Sequence, residues 1–325
     1  MSKRRIMGFD AMMRHIRDSG MRIHGSSEKR QLVLTGYFHG YKGYRYNKDP
    51  RNRIDYGDYS KLLAVIDYDG QVKATMYRPI MQIETALKSI VADVVLHEAK
   101  DDSLSGIMDK LMHPAGHKNT KSFLVKKHQV HDTLLSTLTR NYSSGKEKIV
   151  SHYYNKDEYV PIWAIFEVIT LGQFGNFVDL LDADIKRKIS KAIGIPEKWD
   201  ANGALVSKII FALQDFRNAV AHNGTIFDAR YHGDRKISES LKTCLEKETG
   251  IDNLDFTALV DDIILVLYLQ KKLRFKKTPL YSTISMLVAA DTDIFKKLGA
   301  RLYMEIFGSN TGTKLRKMRT YLKSA

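Results

Sequence analysis

The chain has 325 residues, a formal net charge of +15, 43% hydrophobic residues and a single cysteine. That apolar fraction supplies a sizeable core and argues against wholesale disorder; one cysteine excludes an internal disulfide framework and a cysteine-rich zinc site. The excess positive charge suits a polyanion, with nucleic acid the first choice and a membrane surface the second, although no run of about 18 apolar residues that would cross a bilayer is present.

Only 6 prolines occur, and the 21 glycines gather between periodic segments, so the expected fold class is all-α. The first eight residues carry positive charge with no apolar stretch behind them, which is not a secretory signal and leads to the expectation of a soluble, cytoplasmic protein. Residues 8–23 read as a short amphipathic helix with Met12, Met13 and Ile16 on one side. Ser26 or Ser27 is placed to cap the next helix, which runs through Leu34. Residues 36–46 then hold four tyrosines, a phenylalanine, a histidine and two basic residues. Tyr41, Lys42, Tyr44 and Arg45 in this stretch have the chemistry to stack bases and contact phosphates. The same aromatics could instead pack the segment against the main body.

Residues 59–68 resume a helical pattern, Asp69-Gly70 reads as a turn, and residues 76–96 form a long helix. Glu84 lies in that helix, either on its solvated side or facing an arginine across a bundle. His113, His117, His128 and His131 invite a metal reading, but no cysteine and few carboxylates lie nearby. The expectation is no metal and no cofactor. Pro161 is well placed to start a helix, and the run that follows, to Gly172, is apolar with one carboxylate, Glu167. A lone glutamate in such a run needs a partner or the solvent, so Glu167 is either exposed or paired with an arginine such as Arg217.

The stretch around which the chain is organised is 211–224. Ile209, Leu213, Phe216 and Val220 form the stripe of an amphipathic helix that Asn202 can cap and Gly224 stops. Asn218 and His222 lie on the face opposite the stripe, Asp215 joins them one turn earlier, and Arg217 sits on the flank. The plain reading is a solvated polar face with a histidine near a helix C-terminus. Residues 252–274 are again helical and end in Lys271, Lys272, Arg274, Lys276 and Lys277. Residues 280–307 offer one or two further helices. The tail carries Lys314, Arg316, Lys317 and Arg319. Such clusters are solvated surface or, given the overall charge, phosphate contacts.

Four blocks together resemble the bacterial Abi-like proteins of the AbiD and AbiF group, linked to abortive infection against phage. They are Leu34 to Tyr46; Ile83-Glu84 in its long helix; Pro161-Ile162-Trp163 through Glu167 to Gly172; and Arg217-Asn218 with Ala221-His222. The blocks span about two thirds of the chain, in the expected order. The resemblance implies a HEPN-type helical bundle, in which an Arg-x4-His motif serves metal-independent RNA cleavage and the active site is commonly formed by two motif helices across a homodimer. It also implies an RNA partner, such as a structured non-coding RNA that restrains a toxic ribonuclease, as in a toxin–antitoxin pair. On this reading residues 1–74 are an N-terminal aromatic segment packing on the core, 75–233 the HEPN-like bundle and 234–325 a basic helical extension.

The chemistry expected of those residues is specific. Cleavage without a metal uses the 2′-hydroxyl of RNA as nucleophile on the adjacent phosphate. His222 has the pKa to act as base or acid. Arg217 can stabilise the added charge on the phosphoryl oxygens, Asn218 can orient the phosphate or the histidine, and Glu167 would hold Arg217. One motif supplies one histidine, so having both an acid and a base argues for two copies. The alternative is a non-catalytic RNA-binding scaffold or sensor on the same bundle; no recognition-helix pattern supports a DNA-binding regulator.

Overall fold

The computed structural model describes residues 8–114, 120–233 and 235–324, and among these it contains fifteen α-helices and only isolated β-bridges. The fold is all-α. Among the described residues no helix is long and apolar enough to cross a membrane.

The organising element is α3 (Tyr59–Ala99), 41 residues and roughly 60 Å long at 1.5 Å per residue. It joins the two patterned stretches that were expected to flank a turn. Leu62, Val65, Val72, Met76, Ile80, Ile83, Leu87, Val91 and Val95 keep one face across the join and are all buried. Asp69 does not break the helix because its carboxylate is taken up by groups elsewhere in the chain and by Lys73 one turn on. Its Oδ2 accepts from the Tyr44 hydroxyl at 2.9 Å, and its Oδ1 accepts from the backbone N–H groups of Ile226 and Phe227, both at 2.8 Å. The helix starts on Asp58, whose side chain accepts from Ser60 N–H. It contains a buried Pro79.

α1 (Phe9–Asp18) and α2 (Gly25–Gly40) precede α3. Met13 and Ile16 face inward from α1. α2 begins without a serine cap; the Glu28 carboxylate takes the His24 N–H instead. The aromatic stretch that follows is packing material. Tyr41 and Tyr44 are 1% and 2% exposed, Tyr56 donates to the Tyr44 carbonyl at 2.8 Å, and Tyr59 donates to the Gly40 carbonyl at 3.0 Å. The expectation that Tyr41 and Tyr44 stack bases is therefore corrected: both rings are spent on the core, where their hydroxyls reach Ser19 and Asp69.

α4 (Leu104–Leu111), α5 (Thr120–Ser144), α6 (Lys148–Tyr154), α7 (Ile162–Val168), α8 (Leu171–Leu180) and α9 (Ala183–Ile193) lead to α10 (Leu205–Ala221). Thr170 caps α8 in a reciprocal box with Gln173. α8 and α10 approach closely at Gly175, where a Cβ would stand 2.7 Å from the Phe211 ring and would have to displace it. α11 (Glu239–Thr249) and α12 (Leu259–Lys272) follow, and α12 is buried from Leu259 to Gln270. Two further helices, α13 (Lys277–Leu298) and α14 (Ala300–Phe307), precede α15 (Thr311–Lys323). α3 packs against α4, α7, α9, α10, α12 and α13. The boundary expected at 74/75 falls inside α3, and apolar side chains from all three expected segments share one core.

Candidate functional site

α10 starts where the Asp200 carboxylate accepts from Leu205 N–H at 2.9 Å, with Asn202 accepting from Ala204 N–H at 3.1 Å. Its stripe of Ile209, Leu213, Phe216 and Val220 is buried. The helix ends at His222, whose N–H still bonds the Asn218 carbonyl at 3.0 Å. Asn223 then turns left-handed at φ 54°, and Gly224 N–H closes back on the Ala219 carbonyl at 2.7 Å.

This geometry presents Arg217, Asn218 and His222 on the end of one helix. Arg217 Nε donates to Glu84 Oε2 at 2.8 Å, and its Nη1 donates to Asn218 Oδ1 at 3.3 Å. Glu84 also pairs with Lys88 at 2.9 Å, and Lys88 donates to the Ile169 carbonyl at 3.2 Å. Burial would push the Glu84 carboxyl up, but Lys88 and then Arg217 outweigh it and hold the group below its usual range. Arg217 is therefore held by an ionised carboxylate while a quarter of its side chain stays exposed. His222 is exposed and its ring makes no hydrogen bond among the described residues.

The carboxylate behind Arg217 is thus Glu84, and the expectation of Glu167 in that role is corrected. On α7 the side chains of Ile162, Ala164, Ile165 and Phe166 turn inward, while Trp163 and Glu167, four apart, share the exposed face. Asp215 does not join Asn218 and His222 either. Its carboxylate bonds His232 Nδ1 at 3.3 Å and Arg235 Nε at 3.0 Å. His232 Nε2 reaches Asp262 at 3.1 Å, and Tyr231 donates to the same carboxylate at 2.5 Å. Burial opposes charge on His232, yet its bonds to Asp215 and Asp262 raise its pKa to about 9. Burial, with the nearby Asp215 charge, pushes the Asp262 carboxyl up, while the imidazolium and the Tyr231 hydroxyl favour its ionised form.

Sequence reasoning missed the clamp on the turn after His222. Lys73 Nζ donates to Asn223 Oδ1 at 2.7 Å and to the Gly224 carbonyl at 3.2 Å, and pairs with Asp69 at 2.8 Å. The only local signal was the four-residue spacing of Asp69 and Lys73, which the turn reading of Asp69-Gly70 concealed.

The basic candidates divide. Lys314 is buried, bonding Asp261 and the Asn253 carbonyl, both at 2.7 Å; its assignment to a phosphate-binding surface is corrected. Lys271 Nζ is taken by the Tyr321 and Ser324 carbonyls, and Lys272 pairs with Glu248 at 2.7 Å. These two serve the α12–α15 and α11–α12 packing and not a free basic face. Arg45 is half-buried over the Tyr46 ring. Lys42, Arg274, Lys276, Lys277, Arg316, Lys317 and Arg319 are exposed, with Lys317 paired to Asp252 at 3.0 Å.

Among the described residues no three His, Cys, Asp or Glu side chains gather as a metal-ligand set. His113 pairs with Asp182 at 2.8 Å, and His117 lies outside the described residues. Clefts of about 500 and 640 Å³ are lined by α5–α8 and by α9 with its following turn, and neither includes a motif residue. Arg217 and Asn218 are half-buried and His222 is exposed, so the motif is reached from the surface.

A family model described as Abi-like protein matches residues 30–228, well over half of the chain. No curated protein and no solved structure matches it.

Proposed function

The chain belongs to the Abi-like family, which points to abortive infection as a defence against phage, and on that footing we propose that it is an RNA-binding, metal-independent endoribonuclease of the HEPN type. The observation that carries this reading is the end of α10: Arg217 anchored by Glu84, Asn218 against it, and an exposed His222 one turn on. An anchored guanidinium and an exposed imidazole on one helix end are groups suited to phosphodiester transesterification.

In the proposed reaction an RNA phosphate lies against Arg217 and Asn218. The adjacent 2′-hydroxyl loses its proton to a neutral imidazole and attacks phosphorus. The P–O5′ bond breaks, and an imidazolium supplies the proton to the leaving 5′-oxygen. The products are a 2′,3′-cyclic phosphate and a 5′-hydroxyl. Arg217 stabilises the charge that builds on the phosphoryl oxygens, and because Glu84 already fixes it, little reorganisation is needed at the moment of reaction. One chain offers one such histidine, so acid and base together call for two motif helices in a homodimer. A structured small RNA is the natural restraint on such an activity, and the exposed cations of the α12–α13 junction and α15 suit its phosphates.

The test uses protein stripped of nucleic acid, labelled RNA and excess EDTA, beside an Arg217→Ala/His222→Ala variant. Cleavage by the parent alone, with cyclic phosphate ends and DNA spared, is the expected result. A second reading, an RNA-binding scaffold, is favoured by one observation: the Arg217–Glu84 pair also braces α10 against α3, a structural use of the same arginine. Tight RNA binding with no cleavage by either protein would select it.

A further inference from the structure

Tyr77 is 51% exposed in the middle of α3, and its hydroxyl makes no hydrogen bond among the described residues. Its place on the helix is informative. Lys73, Tyr77 and Glu84 fall within about 40° of one another around the helix axis. Lys73 bonds Asn223 and Gly224, and Glu84 bonds Arg217. Tyr77 therefore stands on the α3 face that touches the motif at both ends, between those two contacts. A second exposed aromatic lies near the residue that follows the same turn. Gly43 is wedged so that a Cβ there would stand 3.1 Å from Thr225 Oγ1 and 3.6 Å from the Phe38 ring, and Phe38 is 56% exposed. Each ring has a cation beside it in the chain, Arg78 next to Tyr77 and Lys42 four after Phe38. Both cations are exposed and without an ion-pair partner among the described residues.

We propose that Tyr77, with Phe38 near the same turn, is a nucleobase platform that seats single-stranded RNA beside the Arg217–His222 motif. The inference rests on the function proposed above and deepens it, by making the substrate's unpaired bases part of recognition. Aromatic rings stack on any base and so bind single strands with little sequence preference. The flanking Arg78 and Lys42 supply phosphate contacts in the same strand. A protein surface docking here would have to bring acidic groups to both cations, whereas a polynucleotide carries bases and phosphates together.

The experiment measures binding in the His222→Ala background, so that cleavage does not enter. The probe is a short labelled single-stranded RNA, with an abasic version of the same oligonucleotide. Tyr77→Ala should raise Kd about ten-fold on the normal RNA, while Tyr77→Phe stays near the parent. On the abasic RNA the Tyr77→Ala penalty should vanish. Trp163→Ala, an exposed aromatic on α7, should leave both affinities unchanged. In the cleaving protein Tyr77→Ala should raise KM more than it lowers kcat. An unchanged Kd, an equal penalty on abasic RNA, or a shift in monomer–dimer equilibrium in place of RNA affinity would overturn the platform while leaving cleavage by the parent intact. Failure of the His222→Ala protein itself to bind RNA would instead overturn the functional reading and the platform with it.

Discussion

Glu84 and Arg217 stand 133 positions apart in the chain and meet at 2.8 Å. Lys73, on the same helix and roughly 16 Å away at 1.5 Å per residue, holds the turn that follows His222. One long helix thus registers both ends of the motif. The spacing of Arg217 and His222 is set by α10, but their position in the molecule is set by α3.

Glu84→Ala should be the most damaging single change at this junction. It strips the partner from both Arg217 and Lys88, and Lys88 is 8% exposed. Arg217 keeps some solvent, so the expected loss is about 2–3 kcal/mol, at or below the lower end of the range for a broken buried pair. Urea denaturation would measure it, and single-turnover cleavage should fall with it even where the protein remains folded. Stability equal to that of the parent would show that the pair does not brace α10.

His222→Ala should behave in the opposite way. The ring is exposed and makes no hydrogen bond among the described residues, so stability should stay within about 0.5 kcal/mol. Cleavage should drop by about 10²–10⁴-fold, the usual contribution of a positioned acid or base. Parallel melting and cleavage assays separate the two effects.

The His232 cluster predicts alkaline instability. The folded pKa of about 9 lies above the ordinary 6.5, so the bound proton stabilises the native state. That stabilisation is complete below pH about 6.5 and is lost as pH rises from there through about 9, with about 3 kcal/mol at stake. Urea midpoints taken across this window should fall. In Asp262→Asn the fall should be smaller and end at lower pH, because one of the two carboxylates that hold the proton is gone. A flat profile in the parent would refute the assignment.

Gly70→Ala should stabilise the protein. Gly70 is an exposed interior position of α3, and a Cβ there meets nothing within 4 Å. The expected gain is about 0.5–1 kcal/mol, from reduced backbone freedom in the unfolded chain and better helix propensity. A lower melting temperature would mean that the helix needs glycine at this point.

Lys314 and Arg319 should separate fold from binding. Lys314→Met leaves Asp261 without its cation; burial already raises that carboxyl to about 6 despite Lys314. The variant should lose about 3 kcal/mol of stability and no RNA affinity while folded. Arg319→Ala should leave stability unchanged, weaken RNA binding and lower the slope of log affinity against log salt by about 1.

The helical pattern of α10 was legible because periodicity and a stop glycine are local properties: the buried stripe, the exposed His222 and the closing turn follow from the spacing of Ile209, Leu213, Phe216, Val220 and Gly224. Glu84 and Glu167 were not separable in the same way. Each is a lone carboxylate in an apolar run, and which one turns inward depends on the neighbour its helix packs against. The tyrosines were equally ambiguous, because a ring that can stack on a base can also stack on Phe227, as Tyr44 does. Asp69-Gly70 carries turn chemistry, yet partners from residues 226–227 and from Lys73 take up the carboxylate and the helix runs on.

By itself the sequence determined the helical class, the family and the order Arg217, Asn218, His222 along one helix, since these depend on composition, short-range spacing and motif. Only the tertiary structure decided which acid holds Arg217, which lysine clamps the turn after His222, and which aromatic and basic side chains remain at the surface. Those choices follow from long-range packing, where burying a charge or a ring is tolerated only if the rest of the chain brings it a partner.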